Sequence, residues 1–423
     1  MITVFEDKEK FYQWVSHERL DFEKENETVR KVIQEVYQDG DTAVRKYTKQ
    51  FDGIEIENFR VSDEERKKLL SQVEPKVFDI LEQAKKNITE FHQAQKQHSW
   101  HYENEGRFLG QLVRPIEKVG LYVPGGKGNY PSTVLMTAIP AKVAGVPEIY
   151  MTTPPKKDGS LSPVNIAAAE VCGIKDVFKI GGVQAVAAFA YGTKQIPKVY
   201  KVVGPGNSFV TLAKKYLYGT IDIDSLAGPS EVMILADETS NLQYIVADAL
   251  AQAEHSEDAA SMILLPNKKL ADAFIVELEK MLALSPRKEI LLDSIQKHSS
   301  VILYKNMEEA VEIMNEYAPE HLEIMSAKIS YQEIAQKVKN AGAIFIGDYA
   351  PVALGDYFAG PNHTLPTSGT AKYASPLGVY DFVKYTSIIQ YSRERFEKEK
   401  ESIAALAELE SFYEHANSIK IRK

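Results

Sequence analysis

The chain has 423 residues, of which 44% are hydrophobic, and this length suggests two or three globular domains at roughly 150 residues each. The net charge of -9 argues against nucleic acid as a partner, and no stretch approaches the ~18 apolar residues of a membrane span. The only cysteine, Cys172, excludes an intrachain disulfide and fits a reducing, cytoplasmic compartment.

The first hundred residues are polar and charged. Helical periodicity is visible in two stretches, residues 25–48 and 62–98, and the turn sequence FDG separates them at residues 51–53. We therefore expect a helical region at the start of the chain.

After residue 107, short apolar or β-branched runs alternate with helix-like stretches. The first series of predicted strands comprises residues 119–123, 148–152, 176–180 and 199–203. The helices predicted in this series comprise residues 132–144, 163–172, 183–190 and 207–217. A second series of strands comprises residues 231–236, 262–266, 301–304 and 343–347. Such alternation predicts βαβ units and two mostly parallel sheets, although no fixed-period sequence repeat is present.

The pattern stops between residues 347 and 376, where four glycines and four prolines interrupt any period. Loops of this length inside compact domains are usually functional or disordered. Residues 393–416 are helical again and amphipathic, and the segment is long enough to pack on another domain or another subunit.

Glycine clusters follow three predicted strands, at residues 124–128, 180–182 and 204–207. A strand, a glycine turn and a helix together bring backbone N–H groups to a phosphate. None completes the G-x-G-x-x-G spacing, because Phe209 stands where the third glycine is needed. A single glycine cluster is as readily explained by a tight βα turn, but three clusters in one α/β unit favour a nucleotide-binding site. The side chains beside these turns that can stack or form hydrogen bonds are Tyr122, Gln184 and Asn207.

Three groups of polar residues are candidates for chemistry. Gln252 and His255 have a spacing that shares one helix face, although on spacing alone a structural role is favoured. Glu320 and His321 are suited to acid–base work, and Pro319 predicts the chain break that would let both reach one point. Asp356 lies in a glycine-flanked loop, where it could be a ligand, a base or part of an Asx turn. Cys172 lies at the end of an alanine-rich helix, where we expect a buried, inert thiol.

Eight motifs occur in order from residue 119 to the C-terminus: VGLYVPGG, GGVQA, GPGN, AGPSE, QAEH, PEHLEI, GDYFAGPNHTLPT and a last helix with a histidine near its end. Each motif is weak alone, but together they make the chain resemble the histidinol dehydrogenase family over nearly its whole length. The resemblance implies oxidation of L-histidinol to L-histidine by two NAD molecules and one water, through L-histidinaldehyde.

The resemblance also implies residue roles and cofactors. It gives Glu320 and His321 the acid–base chemistry. It implies one Zn²⁺ per subunit, with the ligands Gln252, His255, Asp356 and His415. The substrate contacts implied are Ser230, Gln252, His255, His321, Asp356, Glu410 and His415, and the NAD contacts implied are Tyr122, Gln184 and Asn207. A homodimer with shared active sites is implied as well, in which Glu410 and His415 act on the neighbouring subunit.

We therefore expect an α/β protein with two incomplete Rossmann-like domains and small helical extensions at both termini. The expected division is an N-terminal extension at 1–20, a discontinuous domain at 21–121 plus 231–377, an NAD-binding domain at 122–230 and a helical C-terminal domain at 378–423.

Three other functions remain open at this point. The first is a paralogous zinc- and NAD-dependent dehydrogenase of another alcohol, such as a sulfonated diol. The others are a metal-dependent hydrolase and a non-catalytic nucleotide-binding protein. NADH formation would exclude the hydrolase, and turnover would exclude the binding protein.

Overall fold

A computed structural model describes residues 2–17, 25–125 and 128–422 of the chain. Gly126 and Lys127, in the first predicted glycine turn, therefore lie outside the described residues, as do residues 18–24. No helix among the described residues is long and apolar enough to cross a bilayer.

Fourteen strands are present in the described residues, and their bounds are β1 Thr3–Phe5, β2 Trp100–Asn104, β3 Arg107–Pro115, β4 Lys118–Tyr122, β5 Glu148–Thr152, β6 Asp176–Phe178, β7 Lys201–Val203, β8 Asp222–Ile223, β9 Glu231–Leu235, β10 Ala260–Leu265, β11 Ser300–Leu303, β12 His321–Ile324, β13 Ala343–Ile346 and β14 Val383–Tyr391.

The α-helices of the described residues are α1 Lys8–His17, α2 Asn26–Asp39, α3 Asp41–Asp52, α4 Asp63–Leu70, α5 Pro75–Gln93, α6 Pro131–Ala144, α7 Pro163–Val171, α8 Gly182–Tyr191, α9 Ser208–Leu217, α10 Leu242–Ala253, α11 Lys268–Leu284, α12 Lys288–Asp293, α13 Met307–Tyr317, α14 Tyr331–Lys337, α15 Val352–Tyr357, α16 Arg393–Leu409 and α17 Tyr413–Lys420.

Two parallel sheets form the centre of the structure. The first has the order β6-β5-β4-β7-β8 and the second the order β1-β11-β10-β9-β12-β13. If the strands of each βαβ series are numbered along the chain, both sheets read 3-2-1-4-5, and β1 adds a sixth strand to the edge of the second. This is the order of a dinucleotide-binding fold without its last strand. The prediction of two incomplete Rossmann-like units is therefore confirmed.

Both sheets are covered by helices on both faces. The apolar strands of the first sheet lie between α2, α3, α8 and α9 on one side and α4 to α7 on the other. The second sheet is packed between α10 to α12 and α15 on one face and α1, α13 and α14 on the other. The predicted division places residues 21–121 in the domain of the second sheet. In the structure, α2 to α5 and β4 pack in the core of the first sheet.

A third, antiparallel sheet has the order β14-β3-β2 and was not predicted. Its strand β14 leads into α16, and α17 folds back on α16. The single helix predicted for residues 393–416 is thus two helices, because Ser411 adopts a positive φ of 61° at the turn between them.

Candidate active site

Glu320 and His321 lie together at the amino end of β12. Ala318 follows α13 with a φ of 55°, and the strand begins only at His321. The predicted chain break is therefore present, and it allows two successive side chains to meet. Glu320 Oε2 is 3.5 Å from His321 Nδ1, and both side chains are buried.

The tautomer of neutral His321 follows from its backbone contact. Nδ1 lies 3.0 Å from the carbonyl oxygen of Glu231. Because a carbonyl oxygen only accepts, Nδ1 carries the hydrogen and Nε2 carries the lone pair. Nε2 has no hydrogen-bond partner among the described residues and is 3.6 Å from Asp356 Oδ1. This atom is therefore free to accept a proton from a bound molecule.

Burial and neighbouring charges perturb the pKa values of both members of the pair. Burial raises the pKa of Glu320 above its ordinary value, and the charge of His321 opposes this only in part. Burial lowers the pKa of His321, but the carboxylates of Glu320 and Asp356 outweigh it and raise that pKa overall. Perturbed pKa values in neighbouring acids and bases are typical of active sites.

A buried carboxylate that sequence reasoning missed lies behind the pair. Glu231, the first residue of β9, donates its N–H to Glu320 Oε2 at 2.8 Å. Its carboxylate accepts hydrogen bonds from the Tyr317 hydroxyl at 2.7 Å and the Ser368 N–H at 2.9 Å, and burial raises its pKa. The available signal was a glutamate in an otherwise apolar strand, next to Ser230.

Gln252 lies in the last turn of α10 and is 1% exposed. Neither its amide oxygen nor its amide nitrogen has a hydrogen-bond partner among the described residues. Because α10 ends at Ala253, His255 stands in the following turn rather than on the helix. Its Nδ1 is 3.2 Å from the Ala251 carbonyl oxygen, which leaves Nε2 facing away from the backbone. The unsatisfied buried amide of Gln252 fits a ligand position.

Asp356 lies on the short helix α15, although the sequence predicted a loop without helical structure there. Burial alone would raise the pKa of Asp356, but the imidazoles of His321, His363 and His255 outweigh it and lower that pKa. His363, to which the sequence analysis gave no role, donates from Nδ1 to the Asp356 carbonyl oxygen at 3.0 Å. His321 thus faces the Asp356 carboxylate at 3.6 Å, whereas His363 contacts the Asp356 backbone and His255 acts on the carboxylate through its charge.

Three of the residues implied by the resemblance lie apart from this cluster or at its margin. Ser230 is half-buried and directly precedes Glu231. Glu410 and His415 are exposed on the turn and helix at the C-terminus, where His415 packs on the Phe412 ring at 5.3 Å. Among the described residues of one chain, no group of three His, Cys, Asp or Glu side chains forms a metal site.

The candidate NAD residues lie at the carboxyl edge of the first sheet. Tyr122 ends β4, and its hydroxyl accepts a hydrogen bond from the Gly182 N–H at 3.0 Å. Asn207 caps α9 by accepting a hydrogen bond from the Val210 N–H at 3.1 Å. Gln184 is fully buried, and its amide has no partner among the described residues. The three lie at the βα connections after β4, β6 and β7, on the edge where dinucleotides bind in such sheets.

The turn at residues 204–207 is held in place from three sides. Gly204 has a φ of 116°, and a Cβ there would stand 2.1 Å from the Tyr122 carbonyl oxygen. Its N–H donates to Asp224 Oδ2 at 2.7 Å, and its carbonyl accepts from Lys214 Nζ at 3.0 Å. Lys214 and Asp224 also form a buried ion pair with each other.

Both the sequence and the fold are similar to those of known proteins. A profile described as histidinol dehydrogenase matches residues 15–423. The chain is 48% identical to histidinol dehydrogenase of Oceanobacillus iheyensis over 94% of its length and 93% of that protein. It is 46% identical to the Aquifex aeolicus enzyme of the same name over 97% of both. The crystal structure of histidinol dehydrogenase from Elizabethkingia anophelis matches with a TM-score of 0.92 and 32% identity, covering 99% of this chain and 97% of that one.

Proposed function

The chain belongs to the histidinol dehydrogenase family and is an NAD-dependent oxidoreductase, and from that premise we propose how its site works. L-histidinol loses two hydrides to two NAD molecules and gains the oxygen of one water, and L-histidinaldehyde is the intermediate on the path to L-histidine. The observation that carries this proposal is the free Nε2 of His321, held beside the buried Glu320.

His321 and Glu320 divide the proton transfers. His321 Nε2 takes the alcohol proton as the first hydride leaves, and the Glu231 carbonyl keeps the ring oriented through Nδ1–H. Glu320, whose pKa burial raises, accepts a proton from the water that hydrates the aldehyde. His321 then releases its first proton to solvent and accepts another from the hydrate as the second hydride leaves. The Glu231 backbone thus serves both groups, since its N–H holds Glu320 and its carbonyl holds His321.

We propose one zinc ion per subunit, held by Gln252, His255 and Asp356 of one chain and by His415 of the partner subunit. The unsatisfied buried amide of Gln252 and the imidazoles around Asp356 support this assignment. When bound, the ion anchors and orients the amine and imidazole of the substrate. Ser230 and the partner's Glu410 complete the contacts to the substrate in this proposal.

A homodimer with shared sites explains the exposed C-terminal part of the chain. Strand β14 and the turn after α16 expose large apolar side chains, of which Ile389, Leu409 and Tyr413 are 71%, 83% and 68% exposed. Large exposed apolar side chains concentrated in one part of the chain support an interface there. The same segment carries His415, which has no contact with Gln252 or Asp356 in its own chain among the described residues.

Subunit complementation tests this arrangement. His321→Asn and His415→Ala variants are each expected to be inactive. After mixed refolding, half of the dimers pair one of each, and each such dimer has one intact site of two. About a quarter of wild-type activity should therefore return. No recovery in dimers shown to be mixed would mean that both residues serve the same chain's site.

We also propose a cytoplasmic location, which the state of Cys172 supports. The thiol is buried and unpaired, and burial raises its pKa to about 12. It is therefore inert, as the sequence predicted, and thioester chemistry of the aldehyde dehydrogenase kind has no nucleophile here.

The test of the proposed function is NADH formation from L-histidinol, with product stoichiometry, before and after chelation and zinc restoration. Two NADH per histidine, with loss on chelation that zinc reverses, is the expected result. Absence of NADH from a zinc-loaded dimer would contradict the proposal, and NADH from another alcohol would then identify a paralogue.

A further inference from the structure

A cavity of about 510 Å³ opens at the carboxyl edge of the first sheet. It lies between the loop that follows β4 and the loop that follows β5, and Asp52 at the end of α3 lines it as well. In dinucleotide-binding sheets of this strand order, the first turn faces the pyrophosphate. An acidic side chain about twenty residues further on binds the 2′-hydroxyl of the adenosine ribose.

The usual place for that acidic residue, after the second strand, holds none here. Strand β5 ends at Thr152, and the residues that follow are TPPKK at 153–157. The first carboxylate after the strand is Asp158, whose Oδ1 accepts hydrogen bonds from the N–H and hydroxyl of Ser160 and which does not line the cavity. A ribose in this cavity would therefore need its carboxylate from another element.

Asp52 has the properties that such a carboxylate needs. Its Oδ2 is buried and has no hydrogen-bond partner among the described residues. Burial raises the pKa of Asp52 to about 6, and the charge of Asp52 in turn contributes to the raised pKa of Tyr122. A buried carboxylate oxygen without a donor is costly, and a ligand hydroxyl would remove that cost.

We propose that Asp52 binds the 2′-hydroxyl of the adenosine ribose of NAD and so selects NAD over NADP. This inference rests on the proposed use of NAD. A 2′-phosphate in the same place would set its negative charge against a buried carboxylate that no described cation pairs with. The exposed Lys156 and Lys157 on the other side of the cavity attract phosphate in general, so Asp52 is the group that discriminates.

Binding measured by calorimetry tests the contact directly, on the zinc-loaded dimer, with NAD, its analogue lacking the adenosine 2′-hydroxyl, and NADP. The wild-type protein should bind the 2′-deoxy analogue about 10-fold more weakly than NAD, as for the loss of a hydrogen bond to a charged group. Asp52→Ala should bind both equally weakly. Asp52→Asn should reduce the preference for NAD over NADP about 10-fold. Asp158→Asn, the same charge change outside the cavity, should leave all three affinities unchanged.

The outcomes separate this inference from the proposed function. A wild-type protein that binds no NAD would overturn both. NAD binding with no discrimination against the 2′-deoxy analogue, or an Asp52→Ala variant that keeps the wild-type discrimination, would overturn the role of Asp52 alone. Thermal unfolding provides the folding check, because removal of an unpartnered buried carboxylate should not lower the melting temperature.

Discussion

The ion pair of Lys214 and Asp224 offers a sharp test of how the NAD site is held. Their side chains are 2% and 4% exposed, and between them they bond both polar groups of the Gly204 peptide. The turn at residues 204–207 carries Asn207, a proposed NAD contact. Loss of either charge should therefore damage both folding stability and NAD binding.

The expected magnitude follows from burial. Lys214→Met leaves Asp224 buried without its cation, and removal of one partner of a buried pair costs about 3–5 kcal/mol. Asp224→Asn should cost a similar amount, because the ammonium of Lys214 then retains only the Gly204 carbonyl. The double variant should be less destabilised than the sum of the two single-variant losses, because it leaves no buried charge unpaired. The interaction energy between the two substitutions should be roughly 2 kcal/mol or more.

Urea unfolding and NAD titration of the three variants measure these effects. The matched control is the exposed pair of Lys268 and Asp272, which are 67% and 60% exposed and where a charge deletion should cost at most about 1 kcal/mol. Additive effects of the two buried substitutions would refute the argument. So would an unchanged Kd for NAD in a variant that is clearly destabilised.

Two further predictions concern the other sheet. His321→Asn should slow both oxidations by about 10²- to 10⁴-fold, whereas Glu320→Gln should chiefly slow oxidation of histidinaldehyde. Rates measured with histidinol and with histidinaldehyde test this difference. Wild-type rates in both variants would contradict the assigned roles. Burial and the charge of Asp248 raise the pKa of Glu323 from 4.5 to about 8. The folded state therefore keeps a proton that the unfolded state loses, and stability should fall as pH rises from about 5 to about 8. Glu323→Gln should flatten that slope in thermal unfolding, and an unchanged slope would show that another group causes it.

The sequence predicted the buried elements best. Eight apolar runs between residues 119 and 347 all contain strands, because a parallel strand covered on both faces must be apolar throughout. Strand β12 was missed, since its residues HLEI carry two of the buried polar groups of the site. The antiparallel sheet was missed for a similar reason: β2 and most of β14 are exposed, so neither shows an apolar run.

Sequence reasoning proposed Glu320 and His321 as a pair, with a chain break at Pro319, but could not find what holds the pair in place. Glu231 supports the pair through its backbone, and Tyr317 and Ser368 satisfy its carboxylate from segments 86 and 137 residues away. No local pattern reveals such contacts. Asp356 shows the same limit, because His255 and His321 belong to other elements of the chain and act on it only after folding.

The two sheets have the same strand order, yet the proposed chemistry uses opposite ends of them. The NAD residues follow the carboxyl ends of β4, β6 and β7, whereas Glu320 and His321 stand at the amino end of β12. The connection between the sheets accounts for this: β8 ends at Ile223 and β9 begins at Glu231, so the chain spans at most roughly 28 Å from one edge to the other. The connecting segment is also tied to the loop after α15, through the Gly228 N–H and Thr367 Oγ1 at 2.5 Å. The proposed mechanism requires such a short, fixed connection, because a hydride acceptor at the first edge and a base at the second must act on one substrate.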